Sequence, residues 1–306
     1  MKKFLLNTVM IFAIISFGAF LLAMGSIIGK LQFEHKIKVP EPSILSLKLE
    51  GIIGEPSRFL EDLRYFRKDE NVKGIVIHIN SPGGVVGPSQ EIYAEIKRTR
   101  DEFQKPVVAV CSAVAASGAY YAAVAADRIV TNPGTMLGSI GVIMQFANLE
   151  KLYEWAKVGR YVVKTGAYKD SGASYRPMRE DEKELFQDLI DEVQVQFKQA
   201  VASGRNLPAD LVDKYADGRV FTGEAAVKLG FADKVGTYLD GVRVAGELSG
   251  LGDDPEIFEP PEKHASFFET MVEGQFQGSL ANRVEGWLSL NLVGKPLYLL
   301  PGSLGN

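Results

Sequence analysis

Histidine, cysteine and tryptophan are scarce in this sequence of 306 residues, which holds three, one and two of them. The one cysteine, Cys111, permits no internal disulfide. Its setting in the apolar run "VVAVCS" reads as a buried strand, where a thiol is usually inert. Of the histidines, His35 and His264 fall in polar segments with no reason to be rigid, and His78 sits between isoleucines in "GIVIHIN", as structural histidines do. A Ser-His-Asp triad is therefore poorly supported, and zinc sites of the usual His and Cys spacing are missing. Long basic runs are missing too, and with a formal net charge of −4 the chain offers little to a nucleic acid backbone. No internal repeat of fixed period is evident.

What is present begins at the N-terminus. After Lys2 and Lys3, residues Phe4 to Ile28 carry no charged side chain, and a bilayer-spanning helix needs roughly 20 apolar residues. A retained anchor in a lipid bilayer is expected over residues 4–28. Lys2 and Lys3 on one flank face Lys30, Lys36 and Lys38 on the other, so the positive-inside rule does not orient it. The reading is an anchor over 1–29, a linker over 30–43, a globular unit over 44–250, and a second linker with a C-terminal segment over 251–306. That last part, "RVEGWLSLNLVGKPLYLLPGSLGN", is apolar enough to pack on something, a subunit contact included.

Within the globular unit, strand-like runs alternate with helical ones. "ILSLKLEGII", "VKGIVIHIN" and "PVVAVCS" read as strands. "SRFLEDLRYFRKDE", with Ser57 as its cap, and "PSQEIYAEIKRTRDEF" read as helices. Such alternation indicates an α/β fold of parallel units with both sheet faces covered. In the longest helix, Leu185, Leu189, Val193, Phe197 and Val201 recur every fourth residue and predict a core-facing stripe.

The segment "VVAVCSAVAASGAYYAAVAADRIV" sets the hydroxyl of Ser117 between Ala and Gly residues too small to fill space. It can be a helix N-cap, or a nucleophile where backbone N–H groups stabilise an oxyanion. With no suitable histidine, the base would be a lysine kept neutral by its surroundings. Lys169 in "VVKTGAYKDSGAS" stands out, and its neighbour Lys164 competes with it. "SPGG", residues 81–84, follows a strand end and lets the backbone turn outward. It is either an ordinary tight turn or the source of one oxyanion N–H, with Gly118 as the other donor.

"INSPGG", "ASGAYYAAVAADRIVTNPGTMLGSIGV" and "GAYKD", in this order behind an apolar N-terminus, resemble the S49 serine peptidase family in its short form with one catalytic domain, over roughly residues 45–245. The resemblance implies a Clp protease and crotonase-like fold of stacked ββα units. It also implies a Ser-Lys dyad, with Ser117 as nucleophile, Lys169 as general base, Ser139 in "LGSIGV" orienting the lysine, and Gly84 and Gly118 as oxyanion donors. It further implies a single-pass protein of the cytoplasmic membrane with its catalytic domain outside the cytoplasm. Peptide substrates are implied as well, namely signal peptides left in the membrane, with no metal or organic cofactor and a ring-like homo-oligomer sharing its active sites. One departure is Ala119, where the family has a second glycine; a helical backbone there makes alanine harmless. Two other readings keep the fold: a crotonase-like acyl-CoA enzyme and an inactive membrane-anchored scaffold.

Overall fold

The computed structural model describes residues 38–261 and 296–299, with scattered helical positions between Met10 and Met24. The expected anchor over 4–28 lies for the most part outside the described residues, and among those described no helix is long and apolar enough to cross a membrane. Residues 1–40 form one unit and residues 41–306 another. All the described strands belong to the second unit.

The apolar run "SILSLKLE" is strand β1 (Ser43–Glu50), followed by α1 (Ser57–Phe66), β2 (Val72–Ser81), the short β3 (Gly83–Val85), α2 (Val86–Asp101) and β4 (Val107–Ala116). Ser57 is the first helical residue of α1 rather than its cap, because Pro56 holds the N-cap position. Next come α3 (Gly118–Ala123), β5 (Arg128–Thr131), β6 (Met136–Gly138), α4 (Glu150–Trp155) and α5 (Glu180–Arg205). The remainder is α6 (Ala209–Tyr215), β7 (Val220–Thr222), α7 (Gly223–Leu229), β8 (Lys234–Val235), α8 (Tyr238–Ser249), β9 (Ile257–Phe258) and β10 (Leu297–Leu299).

The main sheet runs β7-β6-β4-β2-β1-β9, with β5 also on β4 and β8 on β5. It is mixed: β7 is antiparallel to β6, and the other pairs are parallel. Buried on both faces, β2 and β4 are nearly continuous apolar runs, as parallel central strands must be. Helix α8 lays Val242 and Ala245 on Ile44, Val76, Val108, Val110 and Val130, each buried Val or Ile contributing about 1.5–3 kcal/mol. The approach is close enough that a Cβ on Gly241 would sit 2.2 Å from a Val110 methyl.

Along one edge, β4 changes partner: Val108–Cys111 pair with β5 and Val114–Ala116 pair with β6. Polar groups close the gap, with the Thr135 hydroxyl donating to the carbonyls of Cys111 (3.2 Å) and Ser112 and the Asn132 amide donating to that of Ser112 (3.5 Å). A second, two-stranded antiparallel sheet joins β3 to β10.

Two expectations need correction. The stripe of α5 faces the core only in its second half: Phe197 and Val201 are buried, whereas Leu185 and Leu189 are 42% and 40% exposed. The first half is held instead by the buried Glu182, which accepts from Arg176 at 2.6 and 2.9 Å and from the Arg179 backbone at 3.0 Å. The expected second linker contains β9, which extends the sheet beyond β1 through Ile44 N–H donating to Glu256 O at 2.8 Å.

Candidate active site

Strand β4 ends at Ala116, and the next residue is strained. Ser117 has φ 53° and ψ −117°, a region that costs a residue with a Cβ on the order of 1–3 kcal/mol. Two backbone bonds enforce it. Ser117 N–H donates to Gly138 O at 2.7 Å, continuing the β4–β6 ladder, and Tyr121 N–H donates to Ser117 O at 2.8 Å, opening α3. The side chain is 1% exposed. Although Ser117 holds the N-cap position, its side chain makes no capping bond, and its Oγ has no hydrogen-bond partner among the described residues. A buried hydroxyl without a partner is costly and points to a functional site.

Around it the backbone crowds in. The Ser81 Oγ accepts from Gly83 N–H at 3.1 Å, which occupies that donor and leaves Gly84 as the next. A Cβ on Gly83, at φ +95°, would lie 2.2 Å from Tyr298 O and 2.7 Å from Gly118 N; one on Gly118 would lie 2.3 Å from Ser89 Oγ and 3.2 Å from Gly84 N. The amides of Gly84 and Gly118 are thus neighbours beside Ser117, and both glycines are required sterically. Ser89 did not stand out in the sequence as part of this arrangement, and Ser81 entered it only as the first residue of "SPGG". Ser89, buried on α2, donates to Val85 O at 2.9 Å and forms the floor under Gly118. Its only signal was its place three residues after the loop "GGVV".

Ser139 comes to the same place. It is 3% exposed, has φ 51°, donates its N–H to Arg219 O at 2.8 Å, and directly follows the carbonyl that receives Ser117 N–H. Ala119 lies inside α3, outside the residues of positive φ. Burial pushes the Cys111 thiol up to about 12, so it is no nucleophile at neutral pH. His78 is half-buried against the Tyr238 ring, 5.2 Å between centroids.

Lys169 is exposed, and no hydrogen bond joins it to Ser117. Lys164 is engaged locally, donating to Ala167 O at 3.1 Å and to Asp170. Asp170 anchors this segment: Arg176 first, then Lys164 and Tyr175, hold its carboxyl well below the usual range. Within one chain the structure therefore gathers Ser117, Gly84, Gly118 and Ser139, and leaves both lysines apart from them.

The mixed sheet and its flanking helices define the class, a Clp protease-like α/β fold, and a Clp protease family model matches residues 54–137. A peptidase family S49 model matches residues 99–252. The chain belongs to peptidase family S49 and is a protease of that family. A relative from Synechocystis that carries a protease name is 41% identical over 192 residues, covering 63% of this chain and 68% of its own. The chloroplastic serine protease SPPA of Arabidopsis thaliana is 36% identical over 208 residues, 68% of this chain and 30% of its own. A relative from Enterococcus faecium that carries the name signal peptide peptidase SppA is 34% identical over 206 residues, 63% of this chain and 60% of its own.

Proposed function

We propose that the chain is a membrane-anchored serine endopeptidase in which Ser117 is the nucleophile and Lys169, arriving from a neighbouring copy, is the general base. The observation that carries this reading is the strained, buried and unpartnered Ser117 hydroxyl beside the amides of Gly84 and Gly118. Lys169 takes the proton as Ser117 attacks a peptide carbonyl and returns it to the departing amine. The amides of Gly84 and Gly118 receive the oxyanion, and Ser139 orients the lysine. The chemistry needs no metal or organic cofactor.

A shared site fits the surface around Lys169. Helix α4 buries no residue, and Trp155, Tyr161 and Val163 are 81%, 96% and 101% exposed. So much apolar area on one segment favours cover by a second copy in a homo-oligomeric ring. Residues 44–250 are the catalytic domain, residues 4–28 the anchor in the cytoplasmic membrane, and the catalytic domain lies on its outer side. The name carried by the Enterococcus relative favours leftover signal peptides as substrates.

Mixing Ser117→Ala protein with Lys169→Ala protein tests the dyad and its sharing together. Each alone is expected to be inactive, and the mixture to recover part of the activity once subunits exchange, which labelled protein verifies. No recovery despite exchange refutes the sharing; an inactive Lys164→Ala beside an active Lys169→Ala refutes the choice of base.

A further inference from the structure

Lys169 stands in a turn over 167–172 with little apolar cover: residues 161–169 are all exposed, and the preceding helix α4 buries no residue. A general base on such a segment needs some other support, because a reacting group must be held to within about 0.5 Å of its productive place. One support is Gly172, at φ +74°, where a Cβ would lie 2.4 Å from the Phe146 ring, which packs on Phe186 of α5 with 4.5 Å between centroids. The others are ions on both sides of the lysine.

Before it, Ala167 O accepts from Lys164 Nζ at 3.1 Å and from Arg179 Nη2 at 3.3 Å. After it, the Asp170 carboxylate accepts from Lys164, from the Tyr175 hydroxyl at 2.9 Å and from Arg176 Nε at 3.2 Å. The Asp170 carbonyl is held as well, by Ala173 N–H at 3.2 Å and by Arg176 Nη2 at 3.0 Å. The same guanidinium donates to both carboxylate oxygens of Glu182, at 2.9 and 2.6 Å, and Glu182 is fully buried in the first turn of α5. Arg176 thus ties both the main chain and the side chain of Asp170 to a helix that enters the core at Phe197 and Val201.

The two lysines of this segment therefore have different work. Lys164 is spent on Ala167 O and Asp170, bridging the turn from one side of Lys169 to the other. Lys169 takes no part in the network it sits on, and its side chain is left exposed. We infer that Asp170 is a positioning residue for Lys169, braced by Lys164 and anchored through Arg176 to Glu182, so that the lysine is presented on a rigid turn to the serine of a neighbouring copy. The inference rests on Lys169 as the base of the proposed site. Fixed placement of the reacting group is where such a network contributes to rate.

The test compares Asp170→Ala with wild type on one synthetic peptide. A base displaced by about 1 Å costs up to about 100-fold, so kcat should fall by about 10- to 100-fold. KM should stay within about 3-fold, because the backbone around Ser117 is untouched. Asp170→Asn keeps the shape without the charge and should fall less; it carries the same measurements if thermal unfolding shows that the alanine variant does not fold. Mixing then locates the defect, with Ser117→Ala plus Lys169→Ala as the control. Asp170→Ala should regain activity when mixed with Ser117→Ala, whose lysine turn is intact, and none when mixed with Lys169→Ala. Recovery with Lys169→Ala, or with neither partner while the control recovers, overturns the inference. So does a wild-type kcat or a loss confined to KM. A control that fails despite subunit exchange refutes the sharing alone, and the kcat and KM of the unmixed variant then decide the positioning. Full activity of Lys169→Ala removes the base assignment and the inference with it.

Discussion

Replacing Ser117 by alanine and by glycine separates its chemistry from its conformation. Both variants lack the hydroxyl and should lose peptidase activity by at least about 10³-fold, as loss of a nucleophile does. Their stabilities should differ in an unusual direction. In ordinary backbone, glycine is less stable than alanine by about 0.5–1 kcal/mol. At φ 53° and ψ −117° alanine bears a strain on the order of 1–3 kcal/mol that glycine avoids. The difference leaves Ser117→Gly more stable than Ser117→Ala by about 0–2.5 kcal/mol. For a folded unit of about 150–250 residues that is a rise in Tm of up to about 10 °C. Thermal unfolding of the two purified variants under one condition reads the sign directly. A glycine variant that melts below the alanine variant would refute a strained elbow at this position, whatever the activities show.

Gly118→Ala should lower activity by about 100-fold or more through displacement of an oxyanion amide, because its Cβ would lie 2.3 Å from Ser89 Oγ; adding Ser89→Ala should restore part of it, and full activity of the single variant would contradict the packing. Glu182 has its carboxyl held down to about 2, first by Arg176 and then by the Arg179 backbone, from an ordinary 4.5. A group with a lowered folded pKa stabilises fully above its unfolded value and loses that contribution as pH falls through the folded one. The Tm gap between wild type and Glu182→Gln should thus be constant from pH 7 to 5 and shrink from pH 4.5 to 2; a gap that widens on acidification speaks against the network. Cys111 should resist alkylation at pH 8 in the native protein and react on unfolding, which mass spectrometry reads, and rapid native labelling would show the strand to be open.

The parts legible in the sequence are those with a long, repeated signal. Strands β2 and β4 announce themselves as apolar runs because both faces are covered, and the helices between them by their spacing and breakers. Ser117 stood out by the smallness of its neighbours, which the close approach of Gly83, Gly84 and Ser89 now accounts for. Short strands carry too few residues for a period, so β9 and β10 read as linker and tail. Their pairing is decided by edges that other parts of the chain present. Leu185 and Leu189 follow the helical period as well as Phe197 does, yet no layer covers them among the described residues. Periodicity reports a face, and tertiary context decides what meets it. The choice between Lys164 and Lys169 was not legible because neither meets Ser117 within its own chain.

The change of partner along β4 has a consequence for chain length. Between the pairs Cys111–Thr131 and Val114–Met136, β4 advances through 112 and 113 while its neighbour advances through 132 to 135. The surplus is taken up by a turn that Thr135 N–H closes on Asn132 O at 3.2 Å, which brings the chain back to β4 at Met136 with Leu137 buried. A slide of β6 by one residue, about 3.3 Å, would present Ser117 N–H with a carbonyl other than that of Gly138. The turn acts as a spacer that sets the phase of the site, and substitutions there that keep its closing hydrogen bonds leave that phase unchanged.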